Sequence, residues 1–255
     1  MIDFSVQLTI CLLSAHIFGD FLLQADNDAT RKPRSFRILF KHSLVVAALS
    51  YLLAGFWQAW SIPVVIFLSH AAIDYLKSLS AGKGFRALMF DQAAHVAVIL
   101  ALVWLIAPVF PGRDTYWMIL FGSLFFKALV LAAGFVLAVN GGSVAVNTAV
   151  ASHLDEMGES ASKEGERPGV GRGLQQGGKI IGRLERALIF LFILIETPES
   201  LGFLIAAKTI FRFGELKETS QRMETEYIMI GTLWSFVYGI AVAYGTCQVM
   251  EWLLP

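Results

Sequence analysis

The sequence predicts an all-α fold, a polytopic membrane helix bundle of about eight transmembrane helices. Three observations carry that expectation. Of the 255 residues, 56% are hydrophobic and only 16% are charged, whereas soluble domains carry about 25% charge. Mean hydropathy is +0.64. Apolar runs approaching the roughly 20 residues that span a bilayer recur along the whole chain.

Eight such segments are expected, at 4–23, 38–56, 59–79, 87–108, 115–138, 182–197, 199–214 and 227–253. The first has no basic n-region and no small-residue cleavage site, so it is expected to stay as a helix rather than be removed as a leader. Segments two to five are bounded by polar or basic stretches on one side and by Trp57, Trp60, Tyr116 and Trp117 on the other. With Trp252 these aromatics form the belt expected at one membrane face. Lys127 lies inside segment five, where it must snorkel or find a carboxylate. Segments six and seven are short and are split by Thr197-Pro-Glu-Ser200, a turn signal. They either span or form a re-entrant hairpin.

Basic residues test the map. All but two of the 20 basic residues fall in alternate loops and their helix edges. The exceptions are Arg113 and Lys127. By the positive-inside rule the basic loops are cytoplasmic and both termini are outside. Between segments five and six runs the one long polar stretch, 139–181, rich in Gly, Ser, Glu and Pro and expected to be a flexible cytoplasmic linker. It divides a front five-helix unit (1–138) from a back three-helix unit (182–255). Within it, Gly169-Val-Gly-Arg-Gly173 lacks the Lys-Ser/Thr ending of a phosphate loop and follows no strand. The two cysteines, Cys11 and Cys247, lie in separate apolar segments and form no metal or disulfide pattern. No nucleic acid is expected as a partner; the lipid bilayer is.

Against this apolar background, four stretches place ionisable groups inside spans. They are His16-Ile-Phe-Gly-Asp20, Lys41-His42-Ser43, His70-Ala-Ala-Ile-Asp74 and Asp91-Gln-Ala-Ala-His95. They hold four of the five histidines; His153, in the linker, is expected to be solvated. A four-residue offset puts both partners on one helix face. Segments one and three run outward to inward and read His-x3-Asp; segment four runs the other way and reads Asp-x3-His. All seven residues therefore fall at one depth, roughly 5–14 Å from the cytoplasmic interface. Ionisable groups inside a membrane are costly and point to function. The bland alternative is interhelical hydrogen bonding or a proton relay.

Imidazole and carboxylate together suit Zn, Mn or Fe as a divalent cofactor. His16, His42, His70 and His95 are the candidate ligands. Asp20, Asp74 and Asp91 complete the shell, or one of them serves as a catalytic base. Gln24, one nominal turn beyond Asp20, is a candidate to orient a ligand. In the back half, Arg183, Arg186, Lys208 and Arg212 cluster near the cytoplasmic edge and are candidates for an anionic headgroup or phosphate site. An alternative there is an ion pair between Glu185 and Lys208 that docks two helices.

The four motifs, with Gly182-Arg-Leu-Glu-Arg186, Gly202-Phe-Leu-Ile-Ala-Ala-Lys208, Arg212-Phe and Glu226-Tyr-Ile-Met-Ile-Gly-Thr232, resemble a bacterial membrane family, domain of unknown function 3307. The resemblance implies an inner-membrane protein and carries no assigned reaction. In the front half the His-x3-Asp helices are also similar to inner-membrane metal-dependent hydrolases, although the arginine-bearing histidine motif of those proteins is absent. The leading expectation is a cytoplasm-facing, metal-dependent hydrolase of a lipid-like or phosphate-bearing substrate. The rival classes are an ion-coupled transporter or proton or metal carrier, and a non-enzymatic membrane scaffold that works through the linker.

Overall fold

A computed structural model describes residues 2–24, 35–79, 84–161, 177–213 and 222–253; the side chains of 152–161, 211–213 and 222–228 lie outside that description. Every regular element among the described residues is helical. Six helices are long and apolar enough to cross a membrane: Phe4–Phe21, Phe36–Ala54, Ser61–Leu79, Phe85–Val109, Ser123–Ala151 and Met229–Trp252. Segments six and seven of the sequence map are not among them. The first, Gly177–Leu194, carries Lys179, Arg183, Glu185 and Arg186. The second contains only a shorter apolar helix, Ser200–Ile210.

The chain divides into two compact units. One is Met1–Val136 with Gln248–Pro255; the other is Leu137–Cys247. In the first unit the helices are α1 (Phe4–Phe21), α2 (Phe36–Ala54), α3 (Ser61–Leu79), α4 (Phe85–Ile106), α5 (Tyr116–Phe121) and α6 (Ser123–Val136). α1 packs on α2, α4 and α6, while α2 packs on α3 and α3 on α4.

Local chemistry sets the ends. α2 stops at Gly55, whose left-handed φ of 56° closes the helix. A β-carbon there would also stand 2.6 Å from the Trp117 indole. α4 gives way to a 3-10 turn at Pro108. Thr115 caps α5, its hydroxyl accepting from the Met118 N–H.

Polar staples hold the end of this unit that lies away from the histidines. Gln7, fully buried on α1, donates to Asp114 Oδ1 (2.6 Å) and to the Ile2 carbonyl (2.8 Å). Its carbonyl accepts from the Thr115 N–H and hydroxyl. Trp117 donates its indole N–H to the Leu52 carbonyl at 3.0 Å. Between this end and the histidines lies an apolar core that includes Leu8, Leu12, Ile62, Ile66, Leu102 and Val103. A second cluster joins Ile10, Cys11, Phe126, Leu129 and Leu253.

The second unit contains a π-helical turn (Leu137–Gly141), α7 (Gly142–Ala161), α8 (Gly177–Leu194), α9 (Ser200–Phe213) and most of α10 (Arg222–Trp252). The first half of the stretch expected to be a linker is thus helical. Asn140-Gly-Gly, at the start of that stretch, lies in the π turn and the start of α7. Arg186 explains how. A π turn leaves carbonyls without their usual partners, and Arg186 donates to Ala138 O (3.0 Å) and Val139 O (3.1 Å). It also donates to Ser143 Oγ (2.6 Å) and Ser235 Oγ (2.8 Å).

Candidate metal centre

The site is built where α1 and α3 end and where α2 and α4 begin. α1 and α3 run against α2 and α4, so His-x3-Asp on the first pair meets early residues of the second. Close approach matters at one point. Gly19, beside Asp20, faces Val46 of α2, and a β-carbon at Gly19 would stand 2.6 Å from Val46 Cγ2. Only a glycine lets α1 come near enough for Asp20 to reach His42.

At the centre His42 Nε2 and His70 Nε2 are 2.9 Å apart. Asp20 Oδ1 stands 3.2 Å from the first and 3.4 Å from the second. Asp74 Oδ2 stands 4.0 and 3.5 Å from the same two atoms. Four ligands at about 2.0–2.1 Å from a tetrahedral ion lie roughly 3.3 Å from one another, and these five separations bracket that value. Two compact groups of ligand atoms emerge, His16/Asp20/His70 and His42/His70/Asp74, sharing His70. Four of these five residues, His16, His42, His70 and Asp74, are buried, and the Asp20 side chain is 10% exposed.

The other motif residues surround this centre. His16 Nε2 is 3.9 Å from Asp20 Oδ2 and 3.2 Å from Gln92 Oε1. Its ring stacks on His95 at 4.8 Å, and His95 lies 4.4 Å from His70. His95 Nδ1 donates to the Asp91 main-chain carbonyl at 2.9 Å, which leaves Nε2 as a bare acceptor; it is buried with no hydrogen-bond partner among the described residues. His16, His70 and His95, with Ser50 and Ser69, line a small cavity with ≈ 10 Å³ of room for a water-sized occupant. Asp91, on the seven-residue list, belongs to neither compact group. Its Oδ2 takes the Lys77 ammonium at 2.6 Å and the Gln92 amide at 3.3 Å.

One expectation needs correction. Gln24 cannot orient Asp20 along a helix face, because α1 ends at Phe21. The amide in the site is Gln92, a residue spelled out inside the Asp91-Gln-Ala-Ala-His95 motif; a polar side chain within an apolar span was the signal. In the back half, two of the four basic candidates have internal partners. Arg186 is 2% exposed and donates to the carbonyls and hydroxyls named above. Lys208 Nζ lies 2.6 Å from Glu185 Oε2, the helix-docking pair, and 5.9 Å over the Phe236 ring. The Arg212 side chain lies outside the described residues.

No curated protein and no solved structure matches the chain, so the likeness to metal-dependent hydrolases rests on the motif alone. The back-half motifs also fall outside the family match. Residues 8–118, which carry all seven motif residues and Gln92, match the model of the family described as protein of unknown function (DUF3307).

Proposed function

We propose that the front helices hold a divalent metal ion within an integral membrane protein, at the end of the bundle that faces the cytoplasm. One observation carries this reading. His42 Nε2 and His70 Nε2 face each other and both carboxylates in five approaches of 4.0 Å or less. A neutral imidazole offers one N–H, so two Nε2 atoms can donate at most two hydrogen bonds between them. A divalent cation satisfies all five approaches at once and offsets the burial of carboxylates in a low-dielectric site. Asp20, His42, His70 and Asp74 would hold it, from three helices, as bundle metal sites do.

The distribution of basic residues supports this sidedness, and Lys77 and Arg86 lie at the same helix ends as the site. At that depth the centre has access to lipid headgroups and to cytoplasmic solutes. A divalent ion there would supply a water of lowered pKa and polarise an ester or phosphoryl oxygen, chemistry that fits hydrolysis of a lipid-like or phosphate-bearing substrate in a bacterial inner membrane. The chain's own residues would hold and bury the ion. The transport reading needs a polar path away from the site, and the apolar core containing Leu8, Leu12, Ile62 and Val103 argues against one. The scaffold reading rests on the linker and is independent of the metal.

Elemental analysis of detergent-purified protein tests the proposal. About one equivalent of Zn, Mn or Fe is expected in the wild type, and its loss in a His42→Ala/His70→Ala double variant. A wild-type protein free of transition metal sinks the reading.

A further inference from the structure

Proximity alone admits His16 to the ligand set, since it lies with Asp20 and His70 in one compact group. The hydrogen bonds around Gln92 say otherwise. An amide has one side that only donates and one that only accepts. The Gln92 Nε2 side faces Asp91 Oδ2 and Asp20 Oδ2, each at 3.3 Å. Asp91 Oδ2 also takes the Lys77 ammonium at 2.6 Å, so it is an ionised acceptor. The NH2 group must therefore point to the carboxylates, and the amide orientation is forced rather than chosen. That turns Oε1 toward His16 Nε2 at 3.2 Å. Two acceptors cannot pair, so His16 Nε2 carries the N–H.

We propose that Gln92 is a positioning residue that takes His16 out of the ligand set and aims Asp20. The inference rests on the metal reading above. With its Nε2–H donated to Gln92, His16 has no lone pair there for an ion. Gln92 also holds Asp20 Oδ2, which leaves Oδ1 directed at His42 and His70. The ion then has four protein ligands: Asp20, His42, His70 and Asp74. His16 and Asp91 act through Gln92, and Lys77 anchors Asp91. Removing such supporting hydrogen bonds from a metal ligand typically lowers affinity by about 10–100-fold.

The experiment uses the full-length protein in detergent, stripped of metal and titrated with Co²⁺, and with Zn²⁺ in competition. His16→Gln retains a donor for Gln92 Oε1, so it is expected to bind one equivalent with affinity within about tenfold of wild type and with the same visible Co²⁺ band. His42→Gln is expected to lose stoichiometric binding. Gln92→Leu is expected to bind about 10–100-fold more weakly with a shifted Co²⁺ band, because Asp20 is no longer held. A purely structural role for Gln92 would change thermal stability and leave the band where it was. His16→Gln losing metal as completely as His42→Gln overturns this proposal alone, as does a Gln92→Leu variant with wild-type affinity and spectrum. A wild type that binds no Co²⁺ or Zn²⁺ overturns the metal reading itself, and this proposal with it.

Discussion

Gly19→Ala is the most discriminating single change in the front unit. Its added β-carbon would stand 2.6 Å from Val46 Cγ2 and 3.5 Å from Val46 Cβ and Cγ1. Apolar carbons settle at about 3.5–4.0 Å, so α1 and α2 must part by roughly 1 Å. Val46 is β-branched and held by its neighbours at 1% exposure, so it cannot swing aside. Overpacking of this kind costs about 1–3 kcal/mol, while Gly→Ala within a helix returns about 1 kcal/mol of propensity. The net effect on stability is a loss of about 0–2 kcal/mol. Metal affinity has no such compensation. Asp20 Oδ1 sits 3.2 Å from His42 Nε2, and a parting of about 1 Å takes the pair beyond the roughly 3.3 Å that a tetrahedral ion requires. A fall of about 10–100-fold in Zn²⁺ or Co²⁺ affinity is expected, measured by competition titration with thermal unfolding alongside. Gly19→Ala/Val46→Ala removes the clashing methyl and should recover most of the affinity. A Gly19→Ala protein that holds metal as tightly as wild type refutes the argument, and so does a double variant no better than the single one.

Two further outcomes concern the second unit. Arg186→Lys leaves at most three donors for the two π-turn carbonyls and two serine hydroxyls that the guanidinium now serves, so thermal or denaturant unfolding should show a loss of about 2–4 kcal/mol; an unchanged midpoint would contradict the clamp. Lys208→Met strands the buried Glu185 carboxylate and should cost about 1–3 kcal/mol, whereas the Glu185→Gln/Lys208→Met pair should lie near wild type. Equal loss in the single and double variants would show that the pair carries no coupling.

How much of the site could be read in advance depends on which features are local. The His-x3-Asp offset is a property of one helix, and its reversal on α4 follows from chain direction, so the meeting of His42, His70, Asp20 and Asp74 was legible. The division of labour among the seven was not. Asp91 is drawn to Lys77, which lies on α3, and no spacing within α4 announces that. Gln92 acquires its role only because Asp20, His16 and Asp91 converge on it from two helices. Arg186 is similar: at a helix edge it reads as a candidate for an anionic headgroup, and only the tertiary partners Ala138 O, Val139 O, Ser143 Oγ and Ser235 Oγ account for its burial. The stretch 139–181 reads as linker by composition, but its first half, through Ala161, is helical, because tertiary context overrides local propensity. The spans of α1 to α4 were within a few residues of those observed, since hydropathy alone delimits them.

Leu253 has a consequence for the order in which the protein is made. It packs, 2% exposed, against Ile10, Cys11, Phe126 and Leu129 in the first unit, although the chain between Val136 and Gln248 belongs to the other. A ribosome that has delivered α1 to α6 has therefore supplied every motif residue and still left an apolar socket beside α1 unfilled. The front unit is assembled in two instalments, separated by the translation and insertion of the whole second unit. α1, which presents His16 and Asp20, completes its packing only once Leu253 has been made.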